Sequence, residues 1–254
     1  MAAGLGDAVF VSERSALVEL MTLKETVAVC WRLPLMAVTV TGKVPTGVFA
    51  PVVKVSVDDF AEDVVAIQRQ MIRQLVEAGC RYIHIDEPGY TAYVDEPSLE
   101  AMRKRGEDPA TNFSRSLRAN ASVIEGFPGV TFGIHLCRGN QRSMWHREGS
   151  YDAIAERLFN ELPHQRFLLE YDSPRAGSFA PLRFVPEGKL VVLGLVSTKV
   201  PALEPLDQLL RRIEEAAKYI PIERLAVSPQ CGFGSDVAGN LVTEDDQKRK
   251  LERV

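Results

Sequence analysis

The sequence predicts an α/β barrel built on a parallel sheet, and three observations carry that prediction. From about residue 36, short strand-like segments alternate with helix-like ones, the rhythm of successive βα units. The strands are apolar along their length, as expected when both faces of a sheet are covered. The chain has 254 residues, and a barrel of this kind runs to roughly 250.

In chain order, residues 8–11 form a weak strand and 12–30 a helix, and 36–41 form a strand that stops at Gly42. Ser56 with Asp59 resembles a capping box. Phe60, Val64, Ile67, Met71, Leu75 and Ala78 then recur at helical spacing until Gly79, which suits a helix end. Residues 82–85 are a strand running into Asp86-Glu87-Pro88. A long connection follows, with turn signals at Pro97, Gly106 and Pro109, and a helix over 112–125 closes at Gly126. Strands at 130–136, 167–170, 190–196 and 225–227 alternate with helices at 151–162 and 203–219, the latter interrupted early by Pro205. Thr243 starts a last helix that is acidic first and basic later. This makes about six βα units after residue 36, where a closed barrel has eight. The expectation is a single domain over 1–254 whose barrel is incomplete or irregular at the N-terminal end, with no clear organisation in residues 1–50.

Composition narrows the class. A formal net charge of −4 provides no basic footprint for nucleic acid. The N-terminus lacks the basic and apolar regions of a signal peptide, and no apolar run approaches the roughly 18 residues of a membrane helix. Cys30, Cys80, Cys137 and Cys231 are too scattered for a secreted disulfide framework. A cytoplasmic location is expected, where thiolates stay free to bind metal.

Four strands end in reactive groups: His84-Ile85-Asp86-Glu87-Pro88, His135-Leu136-Cys137-Arg138-Gly139-Asn140, Glu170-Tyr171-Asp172, and Ser228-Pro229-Gln230-Cys231-Gly232. In a parallel α/β barrel these ends share one face, where active sites are built. His135 and Cys137 are two apart on a strand, so both point to one face, while Ile134 and Leu136 point to the covering helices. Glu170 ends an apolar strand, where a carboxylate is costly unless paired or bound to metal. It has a rival in Asp172 on the same face and a bland alternative in a salt bridge to Arg175 or Arg138. His135, Cys137, Cys231 and Glu170 together offer the N, S and O donors that zinc takes, and not the all-oxygen shell of magnesium or calcium. His84 lines the interior near this face. Arg138 and Asn140 follow the ligands and could orient substrate or the ligands themselves. Trp145 and His146 fall in a loop, His164 reads as surface, and Cys80 reads as structural at a strand start.

These stretches, together with Gly194-Leu195-Val196-Ser197-Thr198-Lys199, resemble in sequence and in order the catalytic barrel of cobalamin-independent methionine synthase, and in particular the short single-barrel members of that superfamily. The resemblance covers roughly residues 55–250. It implies a zinc ion on His135, Cys137, Glu170 and Cys231, and Asp86 helping to hold the substrate amino acid. Asp86 and Glu87 become the candidate catalytic pair, and His84, Arg138, Asn140 and Ser197 further substrate contacts. The implied reaction is methyl transfer to a thiol, homocysteine to methionine in the family, from a folate or a methyl-corrinoid protein. The alternatives are addition of another thiol to an electrophile such as an epoxide, and a zinc-binding fragment without activity. The family's N-terminal Gly-Ser-Phe/Leu segment has no visible counterpart, and Ser197-Thr198-Lys199 stands where full-length synthases carry a catalytic histidine.

Overall fold

The computed structural model describes residues 57–234 and 239–254. The expected elements at 8–11, 12–30 and 36–41, together with Cys30 and Ser56, lie outside the described residues. Strands β1 (Tyr82–Asp86), β2 (Thr131–Leu136), β3 (Arg166–Glu170), β4 (Leu190–Val196) and β5 (Leu225–Pro229) form one sheet in chain order, every neighbouring pair parallel. Sequential parallel strands joined by helices are the winding of an α/β barrel, and the described residues supply five of its strands. One irregularity interrupts the ladder. Gly194 pairs with Ser228 but Val196 with Pro229, so Leu195 is an extra residue on β4, the signature of a bulge.

Six helices accompany the strands among the described residues: α1 (Val57–Glu77), α2 (Glu96–Lys104), α3 (Pro109–Ile124), α4 (Asp152–Glu161), α5 (Leu206–Ala216) and α6 (Glu244–Leu251). None is long and apolar enough to cross a membrane. Gly79 ends α1 at φ +97, with Cys80 N–H donating back to Leu75 O at 2.9 Å, as a left-handed helix cap requires. The connection expected between β1 and α3 holds a helix of its own. Asp95 caps α2 by accepting from Ser98 N–H at 3.0 Å, with Pro97 in its first turn. Asp108 does the same for α3 from Thr111, with Pro109 in its first turn. The prolines at 97 and 109 are therefore helix starts. Pro205 likewise precedes α5 rather than interrupting it. Thr243 and Asp246 form a complete capping box on α6.

The apolar face of the sheet carries the core. Ile134, Leu136, Phe167, Leu169, Val191 and Leu193 are buried with Leu158, Phe159 and Leu209 of α4 and α5. A second cluster joins Ile83 and Phe132 to Ile72, Val123 and Ile124 of α1 and α3. On α1 the buried stripe contains Ala61 and Ile72, with Val65 and Val76 packed beside it, while Ile67, Met71 and Leu75 are exposed. The helix forms as expected, but the apolar stripe expected to face the core is not the one that does.

A candidate metal centre at the C-terminal rim

The other face of the sheet gathers the polar residues at the C-terminal ends of the strands. Side chains alternate along β2, so the burial of Ile134 and Leu136 against the helices turns His135 and Cys137 to the opposite side. β3 brings Glu170, fully buried, and the turn after β5 brings Cys231. One ligand atom from each of His135, Cys137, Glu170 and Cys231 lies within 4.8 Å of all the others. Cys137 Sγ is 2.8 Å from Cys231 Sγ, and Cys231 Sγ is 3.4 Å from Glu170 Oε1. His135 Nε2 is 3.2 Å from Glu170 Oε1 but makes no hydrogen bond.

The backbone around the group is tied in several places. Thr91 Oγ1 donates to Cys137 O at 2.8 Å, and Asn140 Nδ2 to Gly232 O at 2.8 Å, which joins the two ligand-bearing loops. Gly139, at φ +98, donates its N–H to Cys137 Sγ at 3.3 Å. A Cβ on Gly139 would meet His146 Cδ2 at 2.3 Å, so the chain can return over the site only with glycine here.

Electrostatics favour positive charge inside this group. Burial alone would strip the proton from His135, but the carboxylates of Asp86 and Glu170 outweigh it and push its pKa up to about 10. Burial works to raise the Glu170 pKa, yet His135 and Lys199 hold it below the ordinary value. The contact between the two thiols pulls the Cys137 pKa down and pushes that of Cys231 up. Anionic donors packed this closely require a proton or a cation among them.

The other sequence candidates are distributed around this group. Asp86 Oδ1 is 2.7 Å from His135 Nδ1. The His84 ring stands edge-on to His135 with centroids 5.9 Å apart, and its pKa is lowered, first by burial and then by His135. Asp172 is paired with Arg175 at 2.7 Å and stands outside the ligand group. Glu87 faces away from it: its carboxylate accepts from Asn120 Nδ2 at 3.0 Å and Gly89 N–H at 2.8 Å, and burial raises its pKa. Arg138 also turns away, lying over the Tyr151 ring and donating to Gly149 O. Ser197 N–H donates to Glu204, and its hydroxyl accepts from Lys199 N–H. Cys80 Sγ contacts Tyr82 O at the far end of β1. His164 is not at the surface; it is fully buried in the segment between α4 and β3.

Two residues escaped the sequence reading. Gln230 donates to Glu170 Oε2 at 3.3 Å and accepts from Lys199 Nζ at 3.2 Å, and Lys199 is itself buried 4.0 Å from the same oxygen. Their adjacency to Cys231 and Ser197 was the available signal.

No family model matches the chain. Among curated proteins it is similar to the uncharacterized protein YxjH of Bacillus subtilis, 38% identical over 201 residues, covering 78% of this chain and 53% of that one. It is also similar to the methionine synthase of Pyrococcus abyssi, 25% identical over 178 residues, covering 69% of this chain and 44% of that one. Among solved structures it is similar to the putative vitamin-B12-independent methionine synthase from Listeria monocytogenes, with a TM-score of 0.59 and 26% identity over 76% of this chain and 52% of that one. The chain spans about half the length of the curated relatives it matches.

Proposed function

We propose that this chain, which belongs to the cobalamin-independent methionine synthase superfamily, is a zinc-dependent methyltransferase that moves a methyl group to a thiol. The observation that carries the reading is the convergence of His135, Cys137, Glu170 and Cys231 at one rim. The residues fit zinc: one imidazole nitrogen without a hydrogen bond, two sulfurs and one carboxylate are the mixed donor set zinc takes in four-coordinate sites. When bound, zinc would hold the acceptor as a thiolate at neutral pH, where a free thiol with a pKa near ~8.5 is mostly protonated.

The chain's own residues do the rest. Gln230, Arg175 and Lys199 approach Glu170 Oε2, at 3.3, 3.7 and 4.0 Å, while Oε1 faces the histidine and the sulfurs. The carboxylate is thus held with one oxygen toward the cluster. Asp86 stands at the edge of the group with a largely exposed side chain, placed to meet the ammonium of an amino-acid thiol such as homocysteine. Glu87 anchors the turn that carries Asp86 through Gly89 and Asn120.

The test is metal analysis joined to a transfer assay. Zinc-supplied protein is expected to carry about one zinc per chain and to methylate homocysteine from a methylated folate or from a methyl-corrinoid protein. Protein that stays free of zinc overturns the reading. Full zinc occupancy without transfer to any thiol reduces the chain to a metal-binding one, and transfer confined to an epoxide moves it to the alternative chemistry.

A further inference from the structure

Asp86 and His135 are register partners on β1 and β2, and their side chains meet on the same face with Oδ1 2.7 Å from Nδ1. The other ring nitrogen, Nε2, lies on the side of Glu170 and makes no hydrogen bond. Once a metal occupied one nitrogen, the imidazole would be neutral and carry hydrogen on the other nitrogen only, and an ionised carboxylate can only accept. Asp86 therefore keeps the hydrogen on Nδ1 and leaves the Nε2 lone pair toward the ligand group. The neighbouring residue grips the same histidine through the backbone, Glu87 N–H donating to His135 O at 2.8 Å. His84 closes the remaining side of the ring, edge-on.

We propose that Asp86 is a positioning residue for the metal centre: it sets the tautomer and the aim of His135 before any substrate arrives. This rests on the zinc reading above and is separate from an ammonium contact, because it acts on the metal and not on the thiol. Carboxylate partners of metal-bound histidines are worth about 10–100-fold in metal affinity.

The experiment uses the full chain as wild type, Asp86→Ala, Asp86→Asn and Cys137→Ser. Zinc affinity is read by competition with a chromophoric chelator, and the histidine tautomers of the zinc-loaded protein by nitrogen-15 NMR. Thermal melting of the metal-free forms checks that each variant folds. The wild type is expected to bind one zinc with His135 hydrogenated at Nδ1. Asp86→Ala is expected to lose about 10–100-fold in affinity, and Asp86→Asn, whose amide oxygen still accepts from Nδ1, to recover much of it. Cys137→Ser is expected to lose binding altogether. The loss in Asp86→Ala should also weaken a thiol lacking the amino group, and not homocysteine alone. If Asp86→Ala binds zinc as the wild type does and weakens only the amino-bearing thiol, the positioning role is overturned while the zinc reading stands. A wild type that binds no zinc overturns both.

Discussion

Two buried histidines mark the two ends of the sheet. At the C-terminal rim, His135 lies between Asp86 and Glu170 and its pKa is driven up to about 10. At the opposite end, just before β3, His164 is fully buried, neither ring nitrogen has a hydrogen-bond partner, and burial followed by Lys189 drives its pKa down to about 3. The same side chain at comparable burial is thus prepared for positive charge at one end and for neutrality at the other. The difference lies in what the strands deliver. The C-terminal ends bring carboxylates and thiols to a shared face, whereas His164 is left with burial and the charge of Lys189 and no partner on either nitrogen. That polarity is the one by which α/β barrels divide function from stability.

The comparison breaks most visibly at the metal. Cys137→Ser or Cys231→Ser should take zinc content from about one per chain to nearly none, measured by elemental analysis of protein refolded with zinc. Glu170→Gln should weaken binding more than Asp172→Asn, because Asp172 is engaged by Arg175. Stoichiometric zinc in the cysteine variants would mean that the rim does not gather charge as described. At the same rim, homocysteine added to zinc-loaded protein should release close to one proton per site near neutral pH, since the thiol arrives protonated and stays as thiolate. Calorimetry in two buffers of different ionisation enthalpy measures it.

At the other end the prediction is one of pH. The folded-state pKa of His164 lies below the ordinary 6.5, so between about 6.5 and 3 the unfolded chain binds the proton and the native one does not. Stability from this group is complete above 6.5 and declines on acidification, by up to about 1.4 kcal/mol per pH unit. Urea midpoints of His164→Leu should fall less steeply below pH 6 than those of the wild type. Parallel curves would remove His164 from the acid response. The smallest effect is expected at α6. Thr243→Ala removes a capping box and should cost about 1 kcal/mol without altering zinc content. Lost zinc in this variant would join the helix cap to the metal centre.

Much of this was legible in the sequence, and the boundary follows interaction range. All five described strands announce themselves as apolar runs bounded by turn residues, and the period of two places His135 and Cys137 on one face. Thr243 and the acids after it signal the last helix locally. The element that escaped, α2, is short and polar, with Met102 its only buried residue, so it carries almost no periodic signal. On α1, Ile67, Met71 and Leu75 form an apolar stripe of their own, and only contact with α3 decides which stripe is covered. Gln230 holding Glu170 and Asp86 holding His135 depend on strand register, which a single sequence does not state. A histidine beside proline carries no local sign of burial, so the full burial of His164 is set by tertiary packing that the sequence does not state.

The extra residue at Leu195 has a consequence for how the chain can vary in length. β4 spends two residues there against one on β5, and beyond it Gln230 N–H still finds Val196 O at 3.1 Å. Since strand side chains alternate, a slip of one residue exchanges the faces of everything that follows. Deleting Leu195 would leave every ligand in place in the sequence and yet exchange the faces of Val196 and the residues that follow it on β4. The approach of Lys199, which lies 4.0 Å from Glu170 Oε2 just past β4, is therefore encoded partly as a count of residues.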